Sequence, residues 1–233
     1  MPYAYLIWSL ILLGIWGAIF AIRSRLRGKM LRMSLITAPL GLSEPLFVPD
    51  YWLPPTLFDL AERTGFDLES LIFAFAVGGI SSSIYPALVP VTMTPVASEE
   101  RHHSRHRWHK VVLWTPIVLF LFLETLTPWN PIYTASLAMF SGGIANGLCR
   151  PDLWRPMLVG SFIFTAVYFA YFSSLVAFYP AYVDHVWQLA SLSGWLVAGV
   201  PVEELLFAGT LGLMWCSLYE HLYWRRYLPR PSL

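Results

Sequence analysis

The stretch GVPVEELLF, residues 199 to 207, sets Glu203 and Glu204 side by side within an apolar run. An earlier stretch, GFDLESLIFAFAVG (65 to 78), aligns with GVPVEELLFAGTLG (199 to 212) at six of fourteen positions and puts Glu69 opposite Glu203. About one match is expected by chance at average residue usage. A carboxyl group in apolar surroundings can hold a proton at neutral pH and deliver it as an acid. Phe73, Phe207, Trp187, Trp195 and Trp215 lie near these acids in the chain, and aromatic faces attract cations. Such a set can protonate an unactivated alkene, shelter the carbocation and return a proton to a second carboxylate.

The elements that must position these acids are membrane helices. Of 233 residues, 57% are hydrophobic and 12% charged, whereas a soluble domain is about 25% charged. Apolar segments of spanning length fall at about residues 3 to 22, 33 to 49, 69 to 91, 111 to 127, 132 to 148, 156 to 179 and 199 to 218. They predict an all-α polytopic protein of about seven transmembrane helices. The first run has no charge, no basic start and no small-residue cleavage site, so it reads as a retained span. Assigning alternate connections to the cytoplasm puts 14 of the 15 basic residues on that side and only Arg63 on the other. The N-terminus is then outside, the C-terminus cytoplasmic, and the chain a multi-pass protein of the cell membrane. In this topology Glu44, Glu69, Glu124, Glu203 and Glu204 all fall toward the outer face, as in a shared polar pocket.

The offset of 134 between the aligned stretches also pairs Asp50 with Asp184 without a gap. Helix three then corresponds to helix seven, and helices one and two to five and six. The two halves point the same way through the membrane, as parallel repeats about an axis along its normal. The expected division is a first repeat at 1–91, a basic cytoplasmic loop at 92–110, a connecting helix at 111–127 and a second repeat at 128–233.

The two acid-bearing halves, and above all Pro201, Glu203, Glu204 and Phe207 in PVEELLF, resemble the membrane-embedded lycopene cyclase family of bacteria, archaea and fungi. The chain resembles the fused form, in which two small subunits are joined. The resemblance implies a carotenoid end-group cyclase that acts on lycopene or a related acyclic carotene by protonation, ring closure and proton loss. It implies an ionone-ring product such as β-carotene, no net redox change and no cofactor. Glu203 or Glu204 would be the acid, and the other, or Glu69, the base or cation stabiliser. Asp50, Asp184, Phe73, Phe207 and Pro201 would bind the substrate. The first half departs from the family pattern, with Asp67 in place of proline and Ser70 in place of the second acid.

The same residues bear on other chemistries. No glycine-rich turn follows a strand, so no dinucleotide fingerprint is present. Lys29 and Lys110 both lie outside the expected spans, which excludes a retinal Schiff base in the seventh helix. A membrane glutamic protease calls for Arg where Phe207 stands. In RHHSRHRWHK (101 to 110), His102 and His106 have the spacing of a helical metal pair, but only Glu99 and Glu100 lie near to complete one. That loop is read as a basic surface against anionic lipid headgroups. Cys149 and Cys216 have no ligand spacing and indicate neither a disulfide nor a zinc site. Acyclic carotenoid and membrane lipid are the expected partners, together with other carotenoid-pathway enzymes and without nucleic acid. A hydratase acting on the same end group and a non-catalytic carotenoid-binding or lipid-binding scaffold are the alternatives.

Overall fold

The computed structural model describes residues 3–230, with the Arg105 side chain left aside. The chain begins with α1 (Ala4–Ile22) and α2 (Arg27–Thr37), which runs on as a 3-10 segment, Ala38–Leu46. After α3 (Leu60–Thr64), α4 (Leu68–Leu88) starts at the Asp67 cap, whose side chain accepts the Ser70 N–H. Then come β1 (Val91–Pro95), α5 (Ser98–Arg101) and α6 (His109–Leu126). Asn130 caps α7 (Pro131–Cys149), with Pro131 at the first position, where a missing N–H costs nothing. α8 (Trp154–Phe178) and α9 (Tyr182–Val186) follow. A turn between β2 (Leu196–Val197) and β3 (Val200–Pro201) leads into α10 (Val202–Leu222), and β4 (Arg225–Pro229) ends the described chain.

Among the described residues, four helical stretches are long and apolar enough to cross a membrane: α1, α4, α6, and α8 with the turn before it. α7 and α10 have 19 and 21 residues, but their sequences are more polar. α10 carries Glu203, Glu204, Glu220 and His221, all buried.

Three expectations shift. The second helical stretch runs over 27–46 rather than 33–49, and it breaks into 3-10 form where Pro39 and Pro45 withhold their N–H groups. Its early start and the late end of α10 share a cause. Lys29 and Glu220, each almost wholly buried, form an ion pair at 2.7 Å, and the Tyr227 hydroxyl stands 2.7 Å from both. Lys29 therefore sits inside the bundle's packing, not in a solvated loop. Two short strand pairings add to the all-α expectation.

α4 packs on α1 and α2, α10 packs on α7 and α8, and α4 and α10 meet each other. In the absence of a strong hydrophobic drive within lipid, close packing of small residues holds helices together. Gly78 lets α4 press on α2 at Thr37, and Gly212, 134 positions later, lets α10 press on α8 at Ser161. The antiparallel pairing of β1 with β4 sets Met93 opposite Tyr227, also 134 apart, and the flanking pairs are disposed evenly about them. At the other end of the bundle Trp52 bridges Trp187. There the Leu53 N–H donates to the Val186 carbonyl and the Gln188 N–H to the Tyr51 carbonyl. Segments at matching places in the two aligned halves thus pair with each other at both ends of the molecule. Gly65 and Gly199, aligned with each other, both hold positive φ (75° and 81°) in the approach to α4 and α10, a backbone region open to glycine at little cost.

Candidate functional site

A cavity of about 700 Å³ runs between the halves. Its lining follows α10 from Glu204 to Leu222, roughly 27 Å at about 1.5 Å of rise per residue. The walls are mainly apolar and aromatic, and no Lys, Arg or His among the described residues lines it. On one side it is bordered by Ile36, Leu40, Trp114, Ile117 and Leu121. All five belong to the exposed apolar surface.

Two carboxyl groups line this cavity, Glu204 and Glu44, both buried at the same end of the bundle. Glu204 stands in the first turn of α10 and holds three donors. The Tyr51 hydroxyl and the Trp187 indole N–H (3.0 Å) donate to Oε1, and the Tyr168 hydroxyl donates to Oε2 at 2.6 Å. Tyr51 comes from the loop after the first half's 3-10 segment, whereas Tyr168 lies on α8 and Trp187 just past α9. Burial first, then the charge of Glu204, push the Tyr51 hydroxyl well above its ordinary pKa, so it acts as a donor. An indole can only donate, but a tyrosine hydroxyl can also accept. The set therefore accommodates Glu204 either as carboxylate or as an acid donating to Tyr168.

Glu44 is held differently. Its Oε2 accepts from the Ser70 hydroxyl at 3.0 Å, and its Oε1 has no hydrogen-bond partner among the described residues. Ser70 in turn meets the Tyr5 hydroxyl at 2.8 Å and Asp67 Oδ2 at 3.1 Å. Burial lifts the Asp67 carboxyl above its usual range, against the lowering effect of the Ser70 donors. Gly41 makes the arrangement possible, because a Cβ there would stand 2.7 Å from the Ser70 carbonyl carbon and oxygen. The 3-10 segment can thus lie directly on α4 and carry Glu44 to Ser70.

The predicted site residues divide. Glu204, Phe73 and Phe207 line the cavity. Glu203 and Glu69 are buried but are not among its lining residues. Glu203 Oε1 accepts from the Tyr133 hydroxyl (2.6 Å) and the Ser193 N–H (2.9 Å). Glu69 Oε1 accepts from the Leu57 N–H (2.8 Å). In both aligned positions the acid holds the loop leading to its own helix, and its second oxygen is unpartnered among the described residues. Asp50 and Asp184 are exposed and away from the cavity lining, and Pro201 is buried as the residue before α10.

Residues outside the expected catalytic and substrate-binding set complete the site. Glu44 lies outside the aligned stretches, so the repeat does not mark it; its depth in the second span is its one signal. Tyr51 and Tyr168 carry no motif, and only the folded chain brings them to Glu204.

Comparison with known protein families matches residues 130–222 to the family described as lycopene cyclase. No curated protein and no solved structure matches the chain.

Proposed function

We propose, from the membership of residues 130–222 in the lycopene cyclase family and from the cavity they share with the first half, that this chain is a fused, multi-pass carotenoid end-group cyclase. The family assignment supports carotenoid cyclase activity. The observation that carries the finer reading is a long aromatic cavity with two carboxyl groups at one end and no basic residue in its lining. A linear polyene lies along α10 with its end group at Glu204 and Glu44.

Glu204 acts as the acid. Its proton adds to the terminal double bond and leaves a tertiary carbocation, the neighbouring double bond attacks that carbon, and the ring closes with the charge moved onto the ring. Tyr168, Phe172, Phe207 and Trp187 line this part of the cavity, and their π faces stabilise the passing charge. The carboxylate left on Glu204 accepts from Tyr51, Trp187 and Tyr168, which stabilise the anion as it forms. Glu44, with one oxygen unpartnered, removes a ring-adjacent proton. One proton enters and one leaves, so the product is an isomer of the substrate. Ser70 stands where the repeat calls for an acid, and Glu44 supplies that acid through the Ser70 hydroxyl. Glu203 and Glu69 position the loops that close this end.

The two halves are parallel repeats about an axis along the membrane normal, with seven crossings and the reactive end toward the outer face. The symmetric pairing of β1 with β4 and of residues 51–53 with 186–188 supports this arrangement. So does the meeting of Lys29 with Glu220, which brings the start of the second crossing to the end of the last.

The test is pigment chromatography with mass analysis on a lycopene-producing bacterium that expresses the chain, beside an empty-vector control. A product of unchanged mass and shorter-wavelength absorption is expected. Unaltered lycopene in membranes that contain the folded protein contradicts the reading, and a product heavier by one water identifies a hydratase instead.

A further inference from the structure

At the opposite end of the bundle from Glu204, side chains from three separate segments converge. His106 comes from the turn before α6, His109 opens α6, and Cys149 ends α7. All three are buried. Cys149 Sγ stands 3.6 Å from His106 Nδ1 and 3.7 Å from His109 Nδ1, and the three donor atoms lie within 4.8 Å of one another. Two Zn–N bonds of about 2.0–2.1 Å and a Zn–S bond of about 2.3 Å in a tetrahedron put sulfur and nitrogen roughly 3.6 Å apart. The observed separations are those of adjacent corners of such a site.

The surroundings fix the rings. His109 stacks on His221 (centroids 4.0 Å apart, 9° between planes) and on Trp224 (4.0 Å, 14°), and Trp224 also meets His106 edge-on at 5.2 Å. Trp224 holds φ at 52°, an unusual conformation for a bulky residue, which costs free energy and collects at functional sites. His221 is fully buried with neither ring nitrogen hydrogen-bonded to a described residue. It sets a third buried imidazole against the cluster. The neighbouring Arg150 is buried, but its guanidinium is paired with Asp152 at 2.7 and 2.8 Å, so the pocket is not left with an uncompensated positive charge.

We propose that His106 Nδ1, His109 Nδ1 and Cys149 Sγ bind a zinc-class divalent cation. Nothing in the cyclisation uses it. Mixed imidazole and thiolate ligands suit zinc, and binding releases the thiol proton to solvent. The ion ties the segment before α6 to the end of α7, so α6, which packs chiefly on α7, is fixed at its buried end.

The test uses the full chain purified in detergent with a tag free of histidine, loaded with zinc or cobalt and then dialysed. The wild type is expected to retain about one zinc per chain. Its cobalt form is expected to show a thiolate-to-cobalt charge-transfer band. Cys149→Ser is expected to lose that band, and His106→Ala and His109→Ala to fall below a tenth of wild-type loading. His102→Ala, at an exposed residue, keeps full loading. Wild-type loading below a tenth of one equivalent, or undiminished loading in Cys149→Ser, overturns the proposal. Should the variants fail to fold, the wild-type cobalt spectrum decides alone: a band with sulfur character supports the site, and its absence overturns it.

Discussion

Glu204 and Glu203 are adjacent in sequence yet have different surroundings, because successive residues of a helix point about 100° apart. Glu204 meets Tyr51, Tyr168 and Trp187 in the cavity, whereas Glu203 meets Tyr133 and the Ser193 N–H. Glutamine at 204 keeps the volume, accepts from Trp187 and donates to Tyr168, but it has no acidic proton. Glu204→Gln is therefore expected to lower turnover by about 10²-fold or more while the protein still inserts, consistent with the usual contribution of a general acid. Initial rates of ring formation in isolated membranes, normalised to inserted protein, check this; wild-type turnover would remove Glu204 as the acid. Glu44→Gln is expected to cost a comparable factor, and Glu203→Gln to lower thermal stability more than turnover per folded chain. Equal losses of turnover at 44, 203 and 204 would contradict the division of roles. The pair of acids was legible in PVEELLF, but which acid faces substrate was not, since that depends on helix rotation against tyrosines supplied by other segments.

At the scale of elements, two contacts position the site from a distance. Gly41 lets the 3-10 segment rest on Ser70. Gly41→Ala forces the two backbones apart, and overpacking of this kind typically costs about 1–3 kcal/mol. The expected result is a lower unfolding midpoint in detergent together with a fall in turnover, since Glu44 moves with the segment; unchanged turnover would separate Glu44 from the reaction. The Lys29–Glu220 pair joins α2 to α10. Removing one partner, as in Glu220→Gln, is expected to destabilise by about 3–5 kcal/mol because a buried charge loses its counterion. Replacing both with apolar residues of similar volume should restore much of that loss, which thermal unfolding of the single and double variants measures. Most helix positions followed from apolar length, but this pair did not. A charged residue reads as a helix end until its partner, 191 positions away, is known.

Across the whole molecule, the offset of 134 found in two short stretches reappears in the folded chain. Met93 faces Tyr227 in the β1–β4 pairing, and residues 51–53 meet 186–188 at the far end. Neither pairing has a strong strand signature, so the aligned stretches did not mark these contacts. The cavity between them depends on both: Tyr51 and Glu44 come from the first half, and Glu204 and Tyr168 from the second. The histidine loop shows the same limitation, because Cys149 is 40 and 43 positions from its histidine neighbours and no local spacing links them.

The proposed cyclisation starts ring closure with a carboxyl proton in this cavity. It is tested most directly by supplying lycopene to membranes that contain the protein in deuterium oxide and weighing the product. A proton-initiated, redox-neutral closure takes its proton from a carboxyl group that re-equilibrates with solvent between turnovers. One deuterium in each ring formed is expected, and a product of unchanged mass in ordinary water. Cyclised product free of deuterium would contradict it.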